Sequence, residues 1–139
     1  MKKLITLLLI TFTLVAFKSS SEFNIVGKWK ANDKNEMGYM VFQKNGYAYI
    51  LINGKKIGGK EFEMNGVKMS MSYSMDYSKK PIEYDFIITL IDENITQNMP
   101  GILEIINNDK IKVELGFDGQ RPTTFGQSTE EVIFNRVKE

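Results

Sequence analysis

Three Asn-Gly pairs stand close together in this chain, at Asn45-Gly46, Asn53-Gly54 and Asn65-Gly66. Asn-Gly supplies the positive φ angles that a two-residue hairpin turn requires, and each pair is flanked by residues alternating between apolar and polar. The cleanest alternation follows the third pair. Val67, Met69, Met71, Tyr73, Met75 and Tyr77 take one phase against Lys68, Ser70, Ser72, Ser74 and Asp76. A period of two puts one phase on a buried face and the other in water. The chain is therefore built of antiparallel hairpins.

The same reading extends in both directions. Ile25 to Ala31 is a half-buried strand, with Ile25, Gly27, Trp29 and Ala31 in one phase, and Asn32 to Glu36 reads as a loop with room for a turn of helix up to Met37. Tyr39 to Gln43 and Tyr47 to Ile52 form a hairpin, and Gly58-Gly59 marks a bulge or bend before Glu61 to Met64. Ser78 to Pro81 is a turn and Ile82 to Ile91 a strand apolar on both phases, so its outer face is expected to be covered. Asp92 to Gly101 reads as a loop ended by Pro100-Gly101. Ile102 to Ile106, Ile111 to Phe117 and Val132 to Val137 complete the strands, with Gly126 to Thr129 as a loop before the last. Eight to nine short strands at this spacing predict an all-β antiparallel barrel or sandwich.

The N-terminus is of another kind. Met1-Lys2-Lys3 precedes an apolar run from Leu4 to Phe17, shorter than the roughly 20 residues a spanning helix needs. Ser19 and Ser21 suit the −3 and −1 positions of a cleavage site before Glu22. Residues 1–21 are thus expected to be a signal peptide and 22–139 a single domain, exported to the periplasm or beyond. With no cysteine there is neither a disulfide nor a lipidated tether, so no membrane anchor is expected after leader removal. Loss of Lys2, Lys3 and Lys18 leaves 15 basic against 17 acidic residues, a net charge of −2. No basic stripe remains to suggest a nucleic-acid partner.

Gly27-Lys28-Trp29 on the first strand and Arg136 on the last resemble the lipocalin-like (calycin) pattern. A closer likeness is to small exported bacterial members of that group. It is carried by Asp76, Lys80-Pro81-Ile82, Asp85, Gly101-Ile102 with Glu104, Arg121-Pro122-Thr123 and Phe125, and covers most of residues 24–138. The resemblance implies an up-and-down barrel closed at its base, with Gly27, Trp29 and Arg136 as closure and the guanidinium packed over the indole. The attraction between such a pair is roughly 0.5–2 kcal/mol.

The absence of histidine and cysteine removes Ser-His and Cys-His nucleophile pairs and the usual zinc ligand sets. No catalytic residue, metal site or cofactor is assigned, and the chain is not expected to be an enzyme. Asp76 and Asp85, flanking the Lys79-Lys80-Pro81 turn, make a polar site with Arg121 if they face each other. In that arrangement they hold a cation or work as a carboxylate pair, and Arg121 takes an anionic group; otherwise all three brace turns. Met69, Met71, Tyr73, Met75 and Tyr77 make a soft wall fit for a small apolar or amphipathic ligand, or simply fill the barrel. The leading expectation is a ligand-binding barrel. The rival is a protein-binding or inhibitor-type envelope module, which outward-facing Tyr39, Tyr47 and Tyr49 would favour.

Overall fold

A computed structural model describes residues 22–32, 38–126 and 131–138. The leader, the expected helical turn before Met37 and most of the loop from Gly126 to Thr129 lie outside these residues. Nine strands follow in order: β1 Gly27–Ala31, β2 Tyr39–Phe42, β3 Ala48–Ile52, β4 Lys55–Met64, β5 Val67–Asp76, β6 Ile82–Leu90, β7 Ile95–Asn107, β8 Lys110–Leu115 and β9 Val132–Arg136. Each pairs antiparallel with the next, and β9 returns to β1, closing an up-and-down barrel.

That closure contains a geometric constraint. Nine straight strands, each antiparallel to its neighbour, would leave the ninth parallel to the first. Here Trp29 pairs with Arg136 and Ala31 with Phe134, an antiparallel register. One strand must therefore turn back on itself, and β4 does so. Lys55–Gly58 pairs with β3, and the remainder pairs with β5 after a register shift between Gly59 and Phe62. At the bend Gly58 and Gly59 have φ of 119° and 93°, a region that side chains other than hydrogen strongly disfavour. Beside the bend β3 and β5 meet directly, through a Tyr47–Ser72 bridge and a bond from Tyr73 N–H to the Gly46 carbonyl at 3.1 Å. Beside the bend the seam thus passes straight from β3 to β5, and eight strands encircle the barrel at that level.

The inward phase is the apolar one. Trp29, Met40, Phe42, Ala48, Met71, Tyr84, Phe86, Leu103, Ile111, Val113 and Phe134 form one buried cluster. Phe42 lies edge-on to Tyr73 at 4.9 Å and stacks on Phe86 at 5.9 Å, so aromatic rings span the interior. What remains among Met40, Ile50, Val113, Leu115 and Phe134 is a void of about 10 Å³, barely one water. The Met strand accordingly fills the barrel. Met71 is buried in the cluster, and Tyr73 and Met75 pack against it.

At the base Trp29 is wholly buried and its indole N–H donates to the Ile25 carbonyl at 2.9 Å. The Arg136 guanidinium lies 4.2 Å over the ring. It also donates to the carbonyls of Val26, Asn24 and Asn108 at 3.0, 2.6 and 2.9 Å. One cation thereby ties the entry to β1, the end of β9 and the β7–β8 turn.

Two expectations about strand limits need correction. The stretch from Asp92 to Gly101 is mostly strand: the turn occupies only Ile91–Asn94 and β7 runs through Pro100-Gly101. Pro100 is tolerated because its missing N–H costs a single ladder bond, while its carbonyl still accepts from Gly116 N–H at 2.7 Å. Tyr77 does not continue the inward phase of β5, which ends at Asp76; it lies on the following turn and is 50% exposed.

The bend yields a graded prediction. A Cβ on Gly58 would meet the Ala48 carbonyl oxygen at 2.5 Å and the Tyr49 Cα at 2.8 Å, whereas one on Gly59 meets only the flexible end of Lys56. Gly59→Ala should cost roughly 1–3 kcal/mol from strain alone. Gly58→Ala should cost more, up to loss of folding, as read by urea denaturation. Trp29→Ala should cost about 3–5 kcal/mol in the same assay.

Candidate functional site

The void among Met40, Ile50, Val113, Leu115 and Phe134 is far smaller than a ligand, and a larger concave surface lies elsewhere. A groove of about 520 Å³ opens beside the β5–β6 turn. Its floor is Ile82 of β6 with Leu103 and Ile105 of β7, one rim is Tyr77 and Lys79-Lys80-Pro81, and the far wall is Thr123, Thr124 and Phe125. The groove exists because two neighbouring strands end at different heights. The last β6–β7 pair is Ile82–Leu103, yet β7 continues to Asn107. Pro81, with no N–H to offer a ladder, helps end β6 there.

The far wall belongs to a segment from Gly116 to Gly126 that leaves the end of β8 and lies over the outer faces of β6, β7 and β8. It covers Pro100, Ile102 and Glu114, all buried although in the outward phase. The sequence places the expected cover over the outer face of Ile82 to Ile91, but the covered residues lie on β7 and β8. On β6 itself Ile87 stays half-buried and Ile91 is exposed.

Arg121 fastens this strap. One guanidinium nitrogen donates to the Tyr84 carbonyl at 3.0 Å and to the Gly101 carbonyl at 2.8 Å. The other donates to both carboxylate oxygens of Asp85 at 2.9 and 3.2 Å, and Nε stands 3.7 Å from Glu83. Further along, Glu114 accepts from Gly126 N–H at 2.6 Å. Lys112 pairs with Glu104 at 3.0 Å while standing 4.4 Å over the Phe125 ring. Glu104 therefore presents a neutralised charge to the groove. Lys79 and Lys80 make no ion pair among the described residues.

The polar triad is not assembled. In the β5–β6 register Asp76 opposes Glu83, and Asp85 opposes Ser74, so the two aspartates are offset diagonally instead of facing each other. Asp76 accepts from Ser78 N–H at 3.0 Å and from the Ser78 hydroxyl at 2.5 Å, a turn brace. Those bonds, the hydroxyl's first, hold its carboxyl below the ordinary aspartate range. Asp85 is spent on Arg121. Asp76 and Asp85 thus do not form the expected carboxylate pair, and Arg121 positions the strap.

Met71 of the Met wall is buried in the core with Tyr73 and Met75 packed against it, and of the five residues proposed for the wall only Tyr77 touches the groove. Tyr73 donates its hydroxyl to the Gln43 carbonyl at 2.9 Å, and burial raises its pKa. Tyr84, buried across Gly101, has no partner for its hydroxyl among the described residues; burial and then the nearby Glu114 carboxylate push it far above the usual phenol range. Sequence reasoning missed Ile105, Phe125 and the strap as groove-formers. Phe125 following Arg121-Pro122 was the available signal, a large apolar residue in a stretch with no strand pattern.

Two outcomes follow. Ser78→Ala should raise the Asp76 pKa toward its ordinary value, measured by side-chain NMR titration; a depressed folded pKa stabilises above the unfolded pKa and is lost on acidification, so the variant should lose stability at neutral pH and not at low pH. Arg121→Gln should loosen the strap, seen as faster amide exchange at Gly126 with β1 and β9 unaffected. Set against protein-family models, curated proteins and solved structures, the chain finds no match in any of the three.

Proposed function

We propose that this protein is an exported, lipocalin-like binding protein that takes a small apolar or amphipathic molecule and performs no chemistry on it. The binding site is the external groove, not the barrel lumen. The observation that carries this reading is the groove's size and lining. About 520 Å³ is within the range of ligand pockets, roughly 300–1,000 Å³, and its surface is mainly apolar. Lys79 and Lys80 on the rim can meet a ligand's polar end, and the far wall adds Thr123 and Thr124. A wall fixed by Arg121 and by the Lys112–Phe125 contact makes the site preformed, which lowers the ordering cost of binding. The lipocalin-like part of the reading rests on Trp29 beneath Arg136 at the barrel base, and export as a free chain rests on the leader and the missing cysteine.

A second reading, a protein-binding envelope module, draws support from the opposite side. Tyr39, Val41, Tyr49 and Leu51 point outward, and Lys28 and Lys56 lie 4.3 Å over Tyr39 and Tyr49 respectively. No carboxylate shares that face on β1, β2 or β3.

Fluorescence titration with Nile red tests the groove. Saturable binding to the wild-type mature protein is expected, with at least a several-fold loss in Thr124→Trp, which narrows the groove from its exposed wall. Met71→Trp should instead destabilise the filled interior by about 1–3 kcal/mol and leave dye affinity intact where the protein is folded. Absence of saturable binding to the folded wild type would overturn the proposal.

A further inference from the structure

We infer that the groove receives an extended peptide, which adds a strand to the overhanging edge of β7; this rests on the groove being the ligand site. The argument begins with where β7 directs its backbone. Pro100 turns its carbonyl toward β8, where Gly116 N–H meets it at 2.7 Å. Backbone polar groups alternate sides along a strand, so Ile102 and Glu104 also face β8, opposite their partners Glu114 and Lys112. Gly101, Leu103 and Ile105 then face the β6 side. Gly101 meets Tyr84 and Leu103 meets Ile82, but the position opposite Ile105 is Lys80, already outside β6. Ile105 N–H and C=O have no backbone partner there among the described residues, and they border the apolar groove.

A strand edge beside an apolar slot selects its occupant. An acyl chain fills the slot and leaves the amide and carbonyl unpaired, whereas an extended peptide meets both requirements at once. Running antiparallel to β7, it continues the line that β6 abandons at Ile82. Residues opposite one another share a face, so the peptide residue across from Ile105 enters the groove and must be apolar. Its neighbour, across from Glu104, comes to the side of the groove where the Lys112–Glu104 pair stands and is polar. The occupant is therefore a short extended segment of alternating apolar and polar residues. Its Pro81 boundary keeps the recognition short.

The test uses the mature protein, Nile red as a reporter of groove occupancy, and a hexapeptide of alternating valine and threonine. A second hexapeptide carries N-methyl groups on the amides that would face β7. The expected result is displacement of dye by the first peptide, weakening of about tenfold or more on methylation, and slowed exchange of the Ile105 amide in the complex. Ile105→Pro removes the edge N–H without touching the β8 ladder; it should weaken the peptide, which uses that N–H, by a larger factor than the dye, which does not. Should that variant not fold, the methylated peptide on wild-type protein carries the same test. Equal affinity for both peptides, dye binding with no peptide displacement, or dimerisation of the protein through this edge would each overturn the inference while the groove reading stands. Failure of dye and peptide alike would remove both.

Discussion

Arg136 is asked to do two things at once, and the rest of the barrel depends on its doing both. Its planar face covers the Trp29 indole, while its edge donors serve carbonyls on the segment before β1 and on the β7–β8 turn. The closing seam between first and last strands is short, three registered pairs of β1 against β9 with one further backbone bond at each end. A lysine supplies the charge but not the planar fork, so it could stack or donate and not do both. Gly27, whose φ of 142° and lack of a side chain leave space for the guanidinium 2.9 Å from its would-be Cβ, belongs to the same device.

With the base so filled, the interior has little left to give. Trp29, Phe42, Tyr84, Phe86 and Phe134 are all among the largest fully buried side chains, and they occupy a barrel of the size that admits either side chains or one small ligand. Around Phe42 and Phe86 the side chains take that space, with ring centroids 4.9–5.9 Å apart. Concavity then has to come from the outside. A smooth closed sheet is convex, so a groove arises only where strand ends are mismatched or where an extra segment stands off from the wall. Here both occur together, the early end of β6 beneath and the strap above.

Much of this was legible in the residues. The Asn-Gly turns set the hairpins, and the Val67 to Met75 alternation assigned the inward face of β5 correctly. Gly58-Gly59 announced a bend, though its reason, the parity of a nine-strand closure, appears only once the ends are known to pair antiparallel. Pro100-Gly101 misled because proline usually marks a strand boundary, yet what matters is the direction in which its neighbours' polar groups point. The aspartate site failed on register. Spacing places Asp76 and Asp85 on opposite sides of a turn, but a shift of two residues decides whether two carboxylates confront each other or sit diagonally, and no local signal encodes that shift. The strap was illegible for a related reason, since it has no period and its contacts span 12 to 37 residues of separation.

Those long-range contacts give the strap its part in the site. Arg121 lands on the carbonyls of Tyr84 and Gly101, which face each other across the β6–β7 seam, and on Asp85 beside them. That seam is the one whose upper end opens as the groove. The clamp therefore holds the two strands two pairs before their last and carries Phe125 to the gap beyond it, where Lys112 fixes the ring from the β8 side. Charge and shape are coupled through this arrangement: Lys112 neutralises Glu104 at the same time as it seats Phe125, so the groove is apolar because its wall is in place. A substitution that frees the strap would both widen the opening and return an unpaired carboxylate to it, and either change alone disfavours an apolar occupant.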